Sequence, residues 1–136
     1  MDFLKSMGIA ASGLRTQAGR MRVISENIAN ADSTAATPGG NPYRRKIPTF
    51  SSELDRELDA RVMKMGRIAQ DQSEFRVKYD PSHPAADASG NVKLPNVNSL
   101  VEMTDLREAQ RSYEANLNVV TATRRMIQRT LDILRA

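Results

Sequence analysis

The residues best suited to chemistry lie in one short stretch, Asp80-Pro81-Ser82-His83-Pro84. A serine, a histidine and a carboxylate are the parts of a nucleophilic triad, in which imidazole takes the hydroxyl proton and the carboxylate orients the ring. Neighbours this close in sequence rarely converge in that geometry. His83 is the only histidine and there is no cysteine, so a metal site has no second imidazole or thiolate, and there is no cysteine nucleophile. A histidine between prolines reads as a solvated turn residue. Glu53, Asp55, Glu57 and Asp59 sit among Arg56 and Arg61 and read as an exposed helical face. Pro38-Gly39-Gly40-Asn41-Pro42 has neither the Gly-Lys-Ser/Thr continuation nor the leading strand of a phosphate loop. The expectation is a protein that catalyses nothing and needs no cofactor.

Tyr43-Arg44-Arg45-Lys46 is the densest basic patch. It could meet phosphate, acidic lipid or an acidic protein surface. The simpler readings are a charged edge within a loop, or one half of a subunit–subunit salt bridge. One aromatic, no recognition-helix context and no ribonucleoprotein motif argue against nucleic acid. The net charge of +4 over 136 residues, with a pI of 9.8, is mild.

The elements that carry these residues follow from periodicity. The chain is one domain's worth of sequence, with 4% aromatics and no tryptophan, a composition suited to helix–helix packing. Residues 3–29 read as a helix of about 40 Å, with Leu4, Met7, Ala11, Leu14, Ala18, Met21, Ser25 and Ile28 forming the a/d seam of a heptad pattern. Gly8, Gly13 and Gly19 each weaken it by about 1 kcal/mol relative to alanine, which predicts marginal stability alone. Residues 31–49 are irregular, broken by Pro38, Pro42 and Pro48. Leu54, Leu58 and Val62 predict a short helix over 51–63. Phe75, Val77 and Tyr79 alternate with Arg76 and Lys78 and predict a half-buried strand over 74–79, followed by a loop over 80–91.

Helical period returns at Val97 and runs to the end through Leu106, Gln110, Tyr113, Leu117, Val120, Arg124, Ile127, Leu131 and Leu134. Asn98 or Ser99 can cap it, Glu102 and Asp105 lie in its early turns, and Arg124, Arg125, Arg129 and Arg135 lie near its end, an order that complements the helix dipole. Ala109, Val119, Met126 and Ile133 form a second stripe, more than one partner helix requires. The fold class is therefore mainly α: long N- and C-terminal helices forming a coiled-coil-like pair or multi-chain bundle, with a small turn-rich, partly β middle. Residues 1–30 and 97–136 form a terminal-helix assembly domain and 31–96 the middle segment. No apolar run of signal-peptide or membrane-spanning length is present, because Lys5, Gly8, Ser12 and Arg15 interrupt the N-terminal segment. If the chain leaves the cytoplasm, it does so without a cleaved signal of that type.

The first helix ends in Ser25-Glu26-Asn27-Ile28-Ala29-Asn30-Ala31-Asp32-Ser33-Thr34. With the small-residue-rich helix before it, this stretch resembles the N-terminal segment of the flagellar axial/rod family, whose box maps onto Asn27, Ile28, Ala29, Asn30 and Ala31. The segments 42–46, 79–98 and 107–134 are also similar to the proximal rod members of that family. The resemblance implies export through the flagellar type III apparatus, then polymerisation into a hollow rod crossing the periplasm within the basal body. In that picture the terminal helices line an inner tube and the middle forms the outer wall. Leu4, Met7, Leu14, Met21, Ile28, Leu106, Tyr113, Leu117, Val120, Ile127, Leu131 and Leu134 would form the assembly interface. The implied partners are copies of the chain, adjacent rod subunits, a membrane-ring side adaptor and, in transit, the export apparatus; no nucleic acid is expected. The reading from a different class is a small basic helical module that binds nucleic acid or an acidic protein.

Overall fold

A computed structural model describes residues 2–136. Helix α1 spans Phe3–Ala29 and helix α2 spans Ser99–Arg135. Between them run six short strands: β1 Lys46–Ile47, β2 Phe50–Asp55, β3 Ala60–Met65, β4 Ala69–Gln70, β5 Arg76–Tyr79 and β6 Asn91–Leu94. They pair antiparallel as β1–β4, β2–β3 and β5–β6. Both helices start on an N-cap. Asp2 Oδ1 accepts from the Leu4 and Lys5 N–H groups at 3.0 and 3.2 Å, and Asn98 Oδ1 accepts from those of Leu100 and Val101 at 3.1 and 3.4 Å, satisfying donors that a helix start leaves unpaired. No described helix is long and apolar enough to cross a membrane.

The chain forms two compact units. The first comprises the chain up to Met21, Thr49–Arg67 and Arg107–Ala136; the second comprises Arg22–Pro48 and Ile68–Leu106.

In the first unit, the short helix expected over 51–63 is instead the β2–β3 hairpin, with Phe50 opposite Met65 and Asp55 opposite Ala60. A spacing of four is also a multiple of the strand period of two, so Leu54, Leu58 and Val62 fit either element. Turn chemistry decides between them: Asp55 Oδ1 accepts from the Glu57 and Leu58 N–H groups, and Asp59 takes a left-handed φ of 45°. The Gly66 N–H donates to the Thr49 carbonyl at 2.8 Å. Antiparallel alternation from that bond turns the Met63 N–H and C=O outward. Helix α1 meets them with two buried hydroxyls. Ser12 Oγ accepts from the Met63 N–H at 3.2 Å, and Thr16 Oγ1 lies 3.3 Å from the Met63 carbonyl. Two polar helix residues thus close an open strand edge.

The three α1 glycines are notches. A Cβ on Gly8 would strike Leu58, on Gly19 the Met65 sulfur, and on Gly13 the Asn116 amide at 2.9 Å. Gly13 meets Asn116 and Arg20 pairs with Glu108 at 3.6 Å, so the helical segments of this unit run antiparallel. Gly13→Val is expected to lower stability by about 1–3 kcal/mol through overpacking, read as a lower urea midpoint for the purified chain.

The buried side of each helix is offset from the expected seam. On α1 the buried positions are Ala10, Ser12, Gly13, Thr16, Val23, Ile24 and Asn27; on α2 they are Glu102, Ala109 and Thr123. Leu106, Tyr113, Val120 and Ile127 flank that α2 face and are half-buried, whereas Val119, Met126 and Ile133 of the second stripe are exposed. The close approach selects small and polar side chains, which a search for apolar periodicity passes over. In the second unit the half-buried strand expected over 74–79 is the shorter β5, and all four of its residues are exposed. Val77 and Tyr79 point outward, Tyr79 at 70% exposure, while Arg76 donates to the Pro95 and Ala31 carbonyls at 3.0 and 2.9 Å. Alternation says which residues share a face, not which face is covered. The β5–β6 connection is the expected loop, its turn closed by Gly90 at a φ of 78°.

Candidate functional site

The centre of the second unit is a buried polar junction around Asn27, which is 0% exposed. Its Oδ1 accepts from the Lys46 N–H at 2.9 Å and the Tyr43 hydroxyl at 2.8 Å. Its Nδ2 donates to the Lys46 carbonyl at 2.8 Å and to Glu102 Oε2 at 3.1 Å. The side-chain amide therefore pairs with both backbone groups of Lys46, as a neighbouring strand would, and all four of its hydrogen-bonding positions are used. The Lys46 N–H and C=O permit only one orientation of the amide.

Glu102, 1% exposed, extends the junction. Its Oε1 accepts from Arg45 Nε at 2.6 Å, and Arg45 also reaches Asp71 at 3.4 Å. The Arg45 N–H donates to Asn96 Oδ1 at 2.8 Å, and Asn96 Nδ2 donates to the Asp71 carbonyl and Ser73 Oγ. Arg44 donates to the Asp71 and Ser73 carbonyls and lies 4.3 Å over the Phe75 ring, a cation–π arrangement. Lys46 Nζ pairs with Glu26 at 2.8 Å. The sequence-level basic patch is thus an internal clasp. Its three cations are paired with carboxylates, carbonyls and a ring of the same chain.

These contacts bias protonation in consistent directions. Burial pushes the Tyr43 phenol up. Burial works against the Arg45 charge, yet Glu102 and then Asp71 outweigh it and hold the guanidinium above its ordinary value. The hydrogen bond to Lys46 lowers Glu26, and the same bond raises Lys46. The Ser73 N–H, then its hydroxyl, lower Asp71, with Arg45 adding to them. Glu26 and Asp71 are lowered on folding, so their contribution is present above about pH 4 and is lost as pH falls through their folded values. Tyr43 and Lys46 are raised, so theirs is present below about pH 10 and is lost as pH rises through their folded values. We expect a stability plateau between those limits. In a Tyr79→Phe/Tyr113→Phe chain, tyrosinate absorbance should reach half-maximum above pH 10 when folded and near pH 10 in urea.

The other sequence-level candidates fall as follows. Within the family box, Asn27 and Ala31 are buried, Ile28 and Asn30 half-buried and Ala29 exposed. Asn30 closes the helix: its Nδ2 donates to the Glu26 carbonyl at 2.9 Å and its Oδ1 accepts from Ser33. The residues expected at an assembly interface are all half-buried or exposed; Leu134 reaches 77%. Ser82 Oγ donates to Asp80 Oδ1 at 2.7 Å while His83 Nδ1 accepts from the Ala85 N–H. The hydroxyl and imidazole are each engaged elsewhere, so the three residues form a turn lock with no nucleophile–base pair. Periodicity missed Glu102, Asp71, Asn96, Ser12 and Thr16. One signal pointed to Glu102: it lies four residues before Leu106 and seven before Ala109, on the face that becomes buried.

Comparison with known proteins gives a consistent result. Residues 7–36 match a family profile described as "Flagella basal body rod protein", and residues 88–133 match one described as "Flagellar basal body rod FlgEFG protein C-terminal". The chain is similar to the flagellar basal-body rod protein FlgC of Agrobacterium fabrum, 53% identical over 94% of this chain and 92% of that protein. It is also similar to FlgC of Bacillus subtilis, 38% identical over 98% and 99%, and of Salmonella typhimurium, 36% identical over 98% and 98%.

Proposed function

The chain belongs to the FlgC family of flagellar basal-body rod proteins, and from that premise we propose how its helices serve the rod. It is a structural rod subunit and not an enzyme. The finer reading is that residues 1–30 and 97–136 line an inner coiled-coil tube of the proximal rod and 31–96 form its outer wall. One observation carries this reading: Leu4, Leu117, Leu131 and Leu134 are exposed, and no other residue of the expected interface is buried. Ordering these segments costs about 1–2 kcal/mol per residue in backbone entropy. Burial against neighbouring copies and adjacent rod subunits returns about 25 cal/mol per Å². Assembly after type III export then completes the fold of the ends. The Asn27 junction ties the end of α1 to the wall segment and the first turns of α2, a joint stiff enough to pass torque between them.

Leu131→Asp/Leu134→Asp tests this reading. Both side chains are exposed, so the monomer should lose no more than about 1–2 kcal/mol in urea unfolding, from lower helix propensity and two acids opposing the helix dipole. Rod assembly and swimming should be lost. Unchanged assembly would overturn the interface. Amide exchange gives a second check: residues 128–134, exposed throughout, should exchange freely in the dilute chain, and strong protection there would remove the coupling of assembly to ordering of that end. The densest basic patch open to the binding-module alternative, Arg44, Arg45 and Lys46, has its side chains engaged within the chain.

A further inference from the structure

Two surfaces of the first unit carry opposite charge, and each keeps charged groups that form no ion pair among the described residues. On α2, Leu117, Arg124, Leu131 and Arg135 recur at steps of seven, seven and four and share one exposed face, with Arg125 beside it. Residues 124–135 hold four arginines and a single acid, Asp132. Among the described residues none of these arginines forms an ion pair. The turn region of the β2–β3 hairpin carries the opposite sign: residues 53–59 hold four acids and one arginine, with Arg61 and Lys64 following on β3. Asp59 pairs with Lys5 and Glu53 with Lys64. The Glu57 carboxylate, at the turn, has no ion-pair partner among the described residues, and Leu54, on the strand leading into that turn, is 56% exposed.

We propose that the β2–β3 hairpin of one copy docks on the arginine-and-leucine face of α2 of a second copy. Glu57 meets Arg124 and Arg125, and Leu54 covers the leucines. The proposal rests on the rod-subunit reading and names the contact by which copies adjoin. It joins two different surfaces, so it repeats from copy to copy and does not close on a pair. Exposed ion pairs are individually weak and screened by salt, so one contact is salt-sensitive, and repetition around the rod sustains it.

The absence of cysteine makes a direct test available. Glu57→Cys and Gln128→Cys supply the only two thiols in a chain carried as the sole copy by flagellated cells. Basal bodies are isolated, oxidised with copper phenanthroline and run on non-reducing gels. The expected result is a ladder of covalent multimers from the double variant and monomers alone from each single variant. Dimers from a single variant, or an unlinked or internally linked monomer from the double variant, overturn the contact. Immunoblotting for the chain in basal bodies from cells that carry it unsubstituted keeps the two readings apart, since its absence there would overturn the rod-subunit reading itself. Charge exchange checks the pairing without thiols: Glu57→Arg and Arg124→Glu should each reduce swimming and together restore it, and no restoration overturns the pairing.

Discussion

Glu102→Ala should destabilise the purified chain by about 3–5 kcal/mol, because it leaves the Arg45 guanidinium without its principal counter-charge. That is a large part of the 5–15 kcal/mol typical of a domain. Both Glu102 oxygens are engaged, one by Arg45 Nε at 2.6 Å and the other by Asn27 Nδ2 at 3.1 Å. Glu102→Gln is therefore no neutral exchange. It keeps one acceptor and points an NH2 group at a donor, so it should cost about 1–3 kcal/mol. Arg45→Met/Glu102→Met removes both charges and should be more stable than Glu102→Ala. Urea midpoints of the three variants decide the matter. A Glu102→Ala midpoint equal to that of the unmodified chain would show the pair to be dispensable.

Asn27→Ala should cost on the order of 4 kcal/mol, within the range reserved for buried hydrogen-bond networks. It removes the partners of the Lys46 N–H and C=O, the Tyr43 hydroxyl and one Glu102 oxygen together. Asn27→Asp separates hydrogen bonding from packing. The shape is nearly unchanged, yet one carboxylate oxygen would face both the Lys46 carbonyl and Glu102. We expect Asp to be no better tolerated than Ala. If Asp behaved like the unmodified chain, the amide network would not be the source of the stability. In cells both substitutions should abolish rod assembly, since the joint between helix and wall would no longer be fixed.

The reading of the Asn27 stretch also changes through the structure. As sequence, Ser25 to Thr34 is a helix stop rich in small residues. Folded, its first asparagine is the hub of a polar junction and its second is the cap that ends the helix. Local chemistry predicts the cap, because Asn30 bonds within its own turn. The hub needs partners 16, 19 and 75 residues away in sequence, and no local pattern encodes them.

What the sequence determined by itself is what depends on near neighbours. The span of α1, a cap for α2 at Asn98 or Ser99, the β5–β6 loop and the family box are all set by propensity, capping and motif within a few residues. Tertiary structure decided the rest. Leu54, Leu58 and Val62 obey two periods at once, and only the Asp55 turn and the α1 hydroxyls on Met63 make them a hairpin. Gly8, Gly13 and Gly19 read as weaknesses until Leu58, Asn116 and Met65 occupy the space they leave. The basic patch reads as a surface until Glu102, Glu26 and Asp71 arrive from distant segments to pair with it. Each of these outcomes is fixed by which groups meet across long stretches of chain, where close approach favours small and polar side chains over the apolar ones that periodicity detects.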